Sequence, residues 1–214
     1  MNIKKVEPFG KSPNKLLITT DLDQTYRISS FLYADFDLGV GRELSEEETD
    51  ALVCAINKEN TRERAVRMIS QSALSERLLK ERLIQKGASA SDAEEAVSWL
   101  HELHLTDDRK TADSIVASAA RKGYGRKRIE SILFEKKIPK EYWEDALSSM
   151  PDSEDAILRF LHQKLDGKIP DDKLIRKTVD ALMRRGHSYG DIRDAISRYR
   201  EDIALTDTDT EELP

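Results

Sequence analysis

Three stretches of this chain superimpose on one another without a gap. They read SERLLKERLIQKGASASDAEEAVSWL (75–100), GRKRIESILFEKKIPKEYWEDALSSM (125–150) and LIRKTVDALMRRGHSYGDIRDAISRY (174–199). Leu83, Leu133 and Leu182 share one position, Val97, Leu147 and Ile196 another, and Lys86, Lys136 and Arg185 each precede a break. A repeat of this period predicts stacked helical units. Arrays of that kind mostly bind along an extended surface and seldom carry out chemistry.

Within each unit, apolar residues recur at spacings of three and four: Leu79 and Leu83; Ile129, Ile132 and Leu133; Val179, Leu182 and Met183. One apolar stripe on a short helix buries too little area to stand alone, so each unit should lean on its neighbours. The fold class expected is mainly α, with tandem three-helix units in a curved, elongated array and a small N-terminal β-hairpin region. A charged fraction of 36% against 38% hydrophobic suits thin helical layers. The predicted divisions are 1–60, a leader with hairpin and helix; 61–105, 106–150 and 151–204, the three repeats; and 205–214, an acidic tail.

Residues 1–14 read as a flexible lead-in with Pro8, Gly10 and Pro13. Lys15–Thr20 and Thr25–Ser29 flank the turn-like DLDQ and predict a hairpin. Phe31–Leu38 suits either a strand or a short helix. Ser45 followed by Glu48 predicts a capped helix to about Lys58. The repeat helices are expected at about 62–72, 76–86, 91–104, 107–122, 126–136, 140–148, 153–165, 172–185 and 189–203. Ser91 with Glu94 and Ser188 with Asp191 are read as start signals. Gly87 is placed at a left-handed helix end, Pro139 at a first helical position, and Gly167 and Pro170 in a loop.

No run of 18 apolar residues occurs, so no membrane span is expected. MNIKKVEPFG holds no apolar core of signal-peptide type. Cys54 is the one cysteine, which excludes an intramolecular disulfide and fits a reducing cytoplasm. Set between apolar neighbours in LVCAI, it is expected to be a buried structural thiol. His101 and His104 lie three apart with Asp107 and Asp108 behind them, but no further ligand is near in sequence; no metal or cofactor is expected. Asp107 and Asp108 are better read as helix-start carboxylates. No nucleophile–base pattern, Walker-type loop or dinucleotide fingerprint occurs, so an enzyme is not expected.

The net charge of −6 conceals a basic surface. Glu201, Asp202, Asp207, Asp209, Glu211 and Glu212 close the chain without a basic residue, and the 41 acidic residues less these six leave 35, equal to the 35 basic ones. Such a tail is expected to be disordered. Between Arg121 and Lys137, the basic residues Arg121, Lys122, Arg126, Lys127, Arg128, Lys136 and Lys137 face only Glu130 and Glu135. Cations suit helix C-termini, which explains Lys86, Lys136 and Arg185. It does not explain Arg126, Lys127 and Arg128, which open a helix. Their placement points to an external anion or acidic partner; the competing reading is a solvated charge run. Tyr124 is a lone candidate for base stacking.

These residues resemble the RecX family of bacterial regulatory proteins. The first unit carries the family's Ser-x-x-x-Leu-x-x-x-Leu-x-x-Lys-Gly run through Ser75, Leu79, Leu83, Lys86 and Gly87. The second matches through Leu105, Asp107, Asp108 and Ala112, then KGYGRKRI (122–129), Leu133, Ile138, Ala146 and Leu147. The resemblance spans about Thr61 to Tyr199, and the hairpin with Leu38, Gly41 and Leu44 is similar to the leader of longer members. Two positions depart: Lys136-Lys137 stands where Lys-Gly is usual, and Thr111 where an aromatic is usual. A left-handed Lys costs about 1 kcal/mol relative to Gly, which leaves another form open to that turn.

The resemblance implies a non-enzymatic regulator, acting in DNA repair, recombination and the SOS response. It would bind the RecA recombinase and its single-stranded-DNA filament and limit strand exchange, ATP turnover and coprotease activity. RecA is thus the expected partner, with weak direct DNA contact, no membrane and a monomeric state. The charge pattern, not the resemblance, nominates Arg121, Lys122, Arg126, Lys127, Arg128, Lys136, Arg184 and Arg185 as binding residues. The alternatives are a sequence-independent DNA-binding helical protein acting without RecA and an unrelated helical scaffold. Ile129–Lys136 offers charges and apolar residues but no base-reading Asn or Gln.

Overall fold

The computed structural model describes residues 1–10, 14–166 and 171–210, with the side chains of 202–210 left aside. Pro13, Gly167 and Pro170, expected in loops, lie outside the described residues. The chain forms two compact units, residues 1–71 with 79–103 and residues 72–78 with 104–214.

The first unit opens with β1 (Ile3–Pro8), β2 (Lys15–Thr20) and β3 (Thr25–Ser29), an antiparallel sheet in the order β1-β2-β3. The expected hairpin is β2–β3, with Leu16 opposite Ile28 and Ile18 opposite Tyr26. The lead-in is instead a third strand. Its Lys4, Lys5, Glu7 and Pro8 disguise it, because charge and proline are what an edge strand carries. Ile3, Ile18 and Ile28 meet Leu32, Leu38, Leu44, Leu52 and Ile56 in one core.

Phe31–Leu38 resolves as a helix, α1 (Ser30–Asp35), with the Ser29 hydroxyl accepting from the Leu32 N–H. Then α2 (Glu46–Gln71) runs through the expected break near Lys58. Nothing in Lys58–Thr61 stops a helix, and Leu52, Ile56, Thr61 and Ala65 keep one buried face. The boundary expected at 61 therefore falls inside an element. The Ser45–Glu48 pair is reciprocal: the Ser45 N–H donates to Glu48 at 2.8 Å, and the Glu48 N–H to the Ser45 hydroxyl at 3.1 Å. Cys54 is exposed, contrary to expectation. Two residues from Leu52 and two from Ile56, it points away from the buried face of a 3.6-residue helix.

α3 (Glu76–Gln85) and α4 (Ala90–Glu102) follow. The start of α4 is set by Ser89, whose hydroxyl accepts from the Asp92 N–H at 3.0 Å, two residues before the expected Ser91. In this unit α4 is tied to α2 by Glu95, which pairs with Lys58 and Arg62 at 2.8 and 2.7 Å.

The second unit holds α5 (Asp108–Arg121), α6 (Arg126–Glu135), a 3-10 turn (Lys140–Tyr142) and α7 (Trp143–Ser148), then α8 (Ser153–Leu165), α9 (Asp172–Arg184) and α10 (Tyr189–Thr210). The helix expected at 140–148 is split: Pro139 precedes a 3-10 turn, and the α-helix starts at Trp143. Ala112, Val116, Ile129, Leu133, Ala146 and Leu147 form one core, and Ile157, Leu161, Leu182, Ile192, Ala195 and Tyr199 another. The tail expected to be disordered is helical as far as Thr210; residues 211–214 lie outside the described residues. Ala204 and Leu205 offer no breaker, and a helix already started continues cheaply.

The three aligned leucines carry the repeat. Leu83, Leu133 and Leu182 are all fully buried. Their carbonyls accept from the N–H groups of Ala88, Ile138 and His187 at 3.1, 3.0 and 3.3 Å, closing the same helix-end turn each time. Gly87 and Gly186 take the left-handed conformation there (φ 92° and 89°), and Lys137 takes it as well (φ 57°). The departure from glycine therefore leaves the turn unchanged; Lys137 bears the strain.

Candidate partner and nucleic-acid interface

The eight nominated cations divide by what already holds them. Arg126 opens α6, and its guanidinium donates to Glu130 at 3.0 Å and Glu144 at 2.6 Å. The bond to Glu144, then that to Glu130, raises its pKa. Arg128 pairs with Glu135 at 3.3 Å. The unfavourable placement of these two cations is thus answered within the chain, in part by Glu144, which lies beyond the basic stretch in sequence.

Arg185 is half-buried. Its Nη1 donates to the Lys122 carbonyl at 3.0 Å, and its guanidinium lies over Phe160 at 4.7 Å and Tyr124 at 5.9 Å. Tyr124, the candidate stacking residue, is packed against the α5–α7 core.

The turn preceding each break is also a backbone joint. The Lys86 carbonyl accepts from Arg64 at 2.7 Å, that of Lys136 from the buried Ser75 hydroxyl at 2.7 Å, and that of Arg185 from the Gly125 N–H at 2.9 Å. Ser75 and Gly125 hold the same repeat position, so the middle helix of one repeat starts on the middle-helix turn of the next. At the second joint the approach is so close that a Cβ on Gly125 would lie 2.5 Å from the Gly186 backbone. His187, buried beside it, donates from Nε2 to the Gly123 carbonyl at 3.1 Å, while its Nδ1 has no partner among the described residues. Burial lowers its pKa, a greater effect than the opposing bond to Gly123.

Arg121, Lys122, Lys127 and Arg184 are exposed, and Lys136 is partly so. Their side chains take part in no ion pair or side-chain hydrogen bond among the described residues. Arg121 and Lys122 border a cleft of about 220 Å³ with Arg159, Phe160, Gln163 and Arg185. Sequence reading missed Arg159, Phe160 and Gln163; their spacing on α8 is the only signal that would have grouped them, and it names no partner. It also missed His187 and the Gly125–Gly186 crossing.

Asp107 starts α5 as expected, its carboxylate accepting from the Lys110 N–H at 3.0 Å, which holds its pKa down. Asp108 accepts instead from the Glu76 N–H at 2.9 Å. His101 lies in the last turn of α4, while His104 sits beyond it in a left-handed turn (φ 54°). Among the described residues, no group of three His, Cys, Asp or Glu side chains is placed to hold a metal, and no helix is long and apolar enough to cross a membrane.

Residues 107–147 match the family model for the second three-helix domain of RecX. Regulatory protein RecX of Clostridium botulinum is 25% identical over 203 residues, covering 91% of this chain and 94% of that protein. Its namesake in Vibrio parahaemolyticus is 29% identical over 145 residues, covering 67% and 94%. That of Salmonella paratyphi A is 35% identical over 95 residues, covering 40% and 57%. The fold is similar to a crystal structure of regulatory protein RecX (TM-score 0.61, 20% identity, 90% of this chain and 98% of that one). It is also similar to RecX from Lactobacillus salivarius (TM-score 0.59, 20% identity, 68% and 98%). Repeat pattern, matched domain and similarity along most of its length together make this chain similar to the regulatory proteins RecX in sequence and in fold.

Proposed function

We propose that this protein is a non-enzymatic regulator that binds RecA and its single-stranded-DNA filament, as a monomer in the cytoplasm, and inhibits recombinase, ATPase and coprotease activities. The similarity carries the reading: the Clostridium and Vibrio relatives are named regulatory protein RecX and match along nearly their whole length. The division of the basic residues supports it. Arg121, Lys122, Lys127, Lys136 and Arg184 supply open charge for an acidic or phosphate surface, while Arg126, Arg128 and Arg185 are already engaged by groups of the chain itself.

Co-sedimentation with preformed RecA filaments tests the reading. The wild-type protein is expected to pellet with filaments, and Lys122→Glu with Lys127→Glu to remain largely in the supernatant with unchanged circular dichroism. A wild-type protein that stays in the supernatant contradicts it.

A further inference from the structure

The two ends of the basic cluster differ in one respect. Arg126 and Arg128 at the start of α6 are matched by carboxylates, whereas, among the described residues, the cations around the cleft between α5, α8 and the α9 turn are not. Arg121, Lys122, Arg159 and Arg185 line that cleft with Phe160 and Gln163, and among the described residues no acidic side chain contributes to its wall. Neither Arg121 nor Arg159 has an ion pair among the described residues, although the body of the chain has as many acidic as basic residues. Like charges gathered in a concavity repel, and the low-dielectric walls strengthen their field.

Arg185 is pre-set. The Lys122 carbonyl takes one of its N–H groups, and Phe160 backs its plane. Its other donors stay in a rigid fork, the geometry that matches phosphate oxygens. Gly123 at the rim has only Arg185 Nη1 within 4 Å of where a Cβ would lie. The volume of about 220 Å³ leaves room for a phosphodiester group.

We infer that this cleft is a phosphate-binding site for single-stranded nucleic acid, with Arg121 and Arg159 as the mobile jaws and Arg185 as the fixed floor. The inference deepens the proposed function by assigning one basic surface to the strand and not to protein. It does not require that RecA be the regulated target.

The test is anisotropy of a labelled oligo-dT strand, titrated with full-length protein at several salt concentrations. Arg121→Ala with Arg159→Ala is compared with a charge-matched control, Lys110→Ala with Arg193→Ala, whose cations already pair with Asp107 and Asp194. Circular dichroism confirms the fold of each. The cleft variant is expected to bind at least tenfold more weakly. Its slope of log affinity against log salt should be shallower by about 0.7, the value for one phosphate no longer neutralised; the control should resemble wild type. Absent wild-type binding, an equal loss in both variants, or an unchanged slope overturns the inference. So does a cleft variant that keeps strand binding but loses RecA filament binding, which makes the cleft a protein-binding surface. Strand binding that depends on the cleft in a protein inert toward RecA sustains the inference and overturns the proposed function.

Discussion

Gly125 and Gly186 pass so closely that neither has room for a side chain. Gly125→Ala should cost about 1–3 kcal/mol, the usual range for overpacking, read as a lower denaturation midpoint. An unchanged midpoint would show that the joint has slack. At the matching turn of the second repeat the strain runs the other way. Lys137→Gly should stabilise by up to about 1 kcal/mol by relieving the left-handed lysine. His187 gives the joint a pH dependence. Its folded pKa lies below 6.5, because burial disfavours the cation. Below pH 6.5 the unfolded chain therefore binds the extra proton first. Stability from this group is complete above that pH and falls as the pH drops toward the folded value. The stability gap between wild type and His187→Gln, measured by denaturant titration, should narrow from pH 7.5 to pH 5. A constant gap would mean that His187 does not titrate differently in the two states. The question at Lys137 is legible in the sequence, but the glycine crossing and the burial of His187 are not. A glycine signals a turn, but only the three-dimensional crossing says which backbone it admits.

At the scale of elements, periodicity reveals the most. Leu83, Leu133 and Leu182 align from spacing alone, and each proves to be both core and turn. The errors lie where spacing is silent. Nothing but the absence of a breaker joins 46–58 to 62–71, and β1 is disguised by the charges an edge strand tolerates. The binding residues are half legible. Sequence shows an excess of cations but not that Glu144, from a later helix, reaches Arg126. Arg126→Ala should therefore change stability by less than about 1 kcal/mol, as exposed pairs do, and should weaken filament binding less than Lys127→Ala. A larger effect of Arg126→Ala on binding would mean that its carboxylates release it to a partner. Truncation after Arg200 removes the end of α10 but keeps Tyr199, whose hydroxyl donates to Asp166 at 2.9 Å and whose pKa is pushed up to about 12, chiefly by burial. Helical ellipticity should fall, with the thermal midpoint within a few degrees of the full chain. A large drop would show that the tail packs.

For the whole molecule, the central point is that one joint is used twice. Ser75 docks on the Lys136 turn and Gly125 on the Arg185 turn, so the repeat seen in sequence is also a repeat of connections. Arrays built this way mostly bind along their surfaces, which accords with the similarity to proteins named regulatory. The most direct test of the functional account is single-stranded-DNA-dependent ATP hydrolysis by the cognate RecA, with this protein titrated in at substoichiometric ratios. The account predicts inhibition well below one molecule per RecA, reduced in Lys122→Glu with Lys127→Glu. Undiminished hydrolysis up to an excess of folded protein would contradict it.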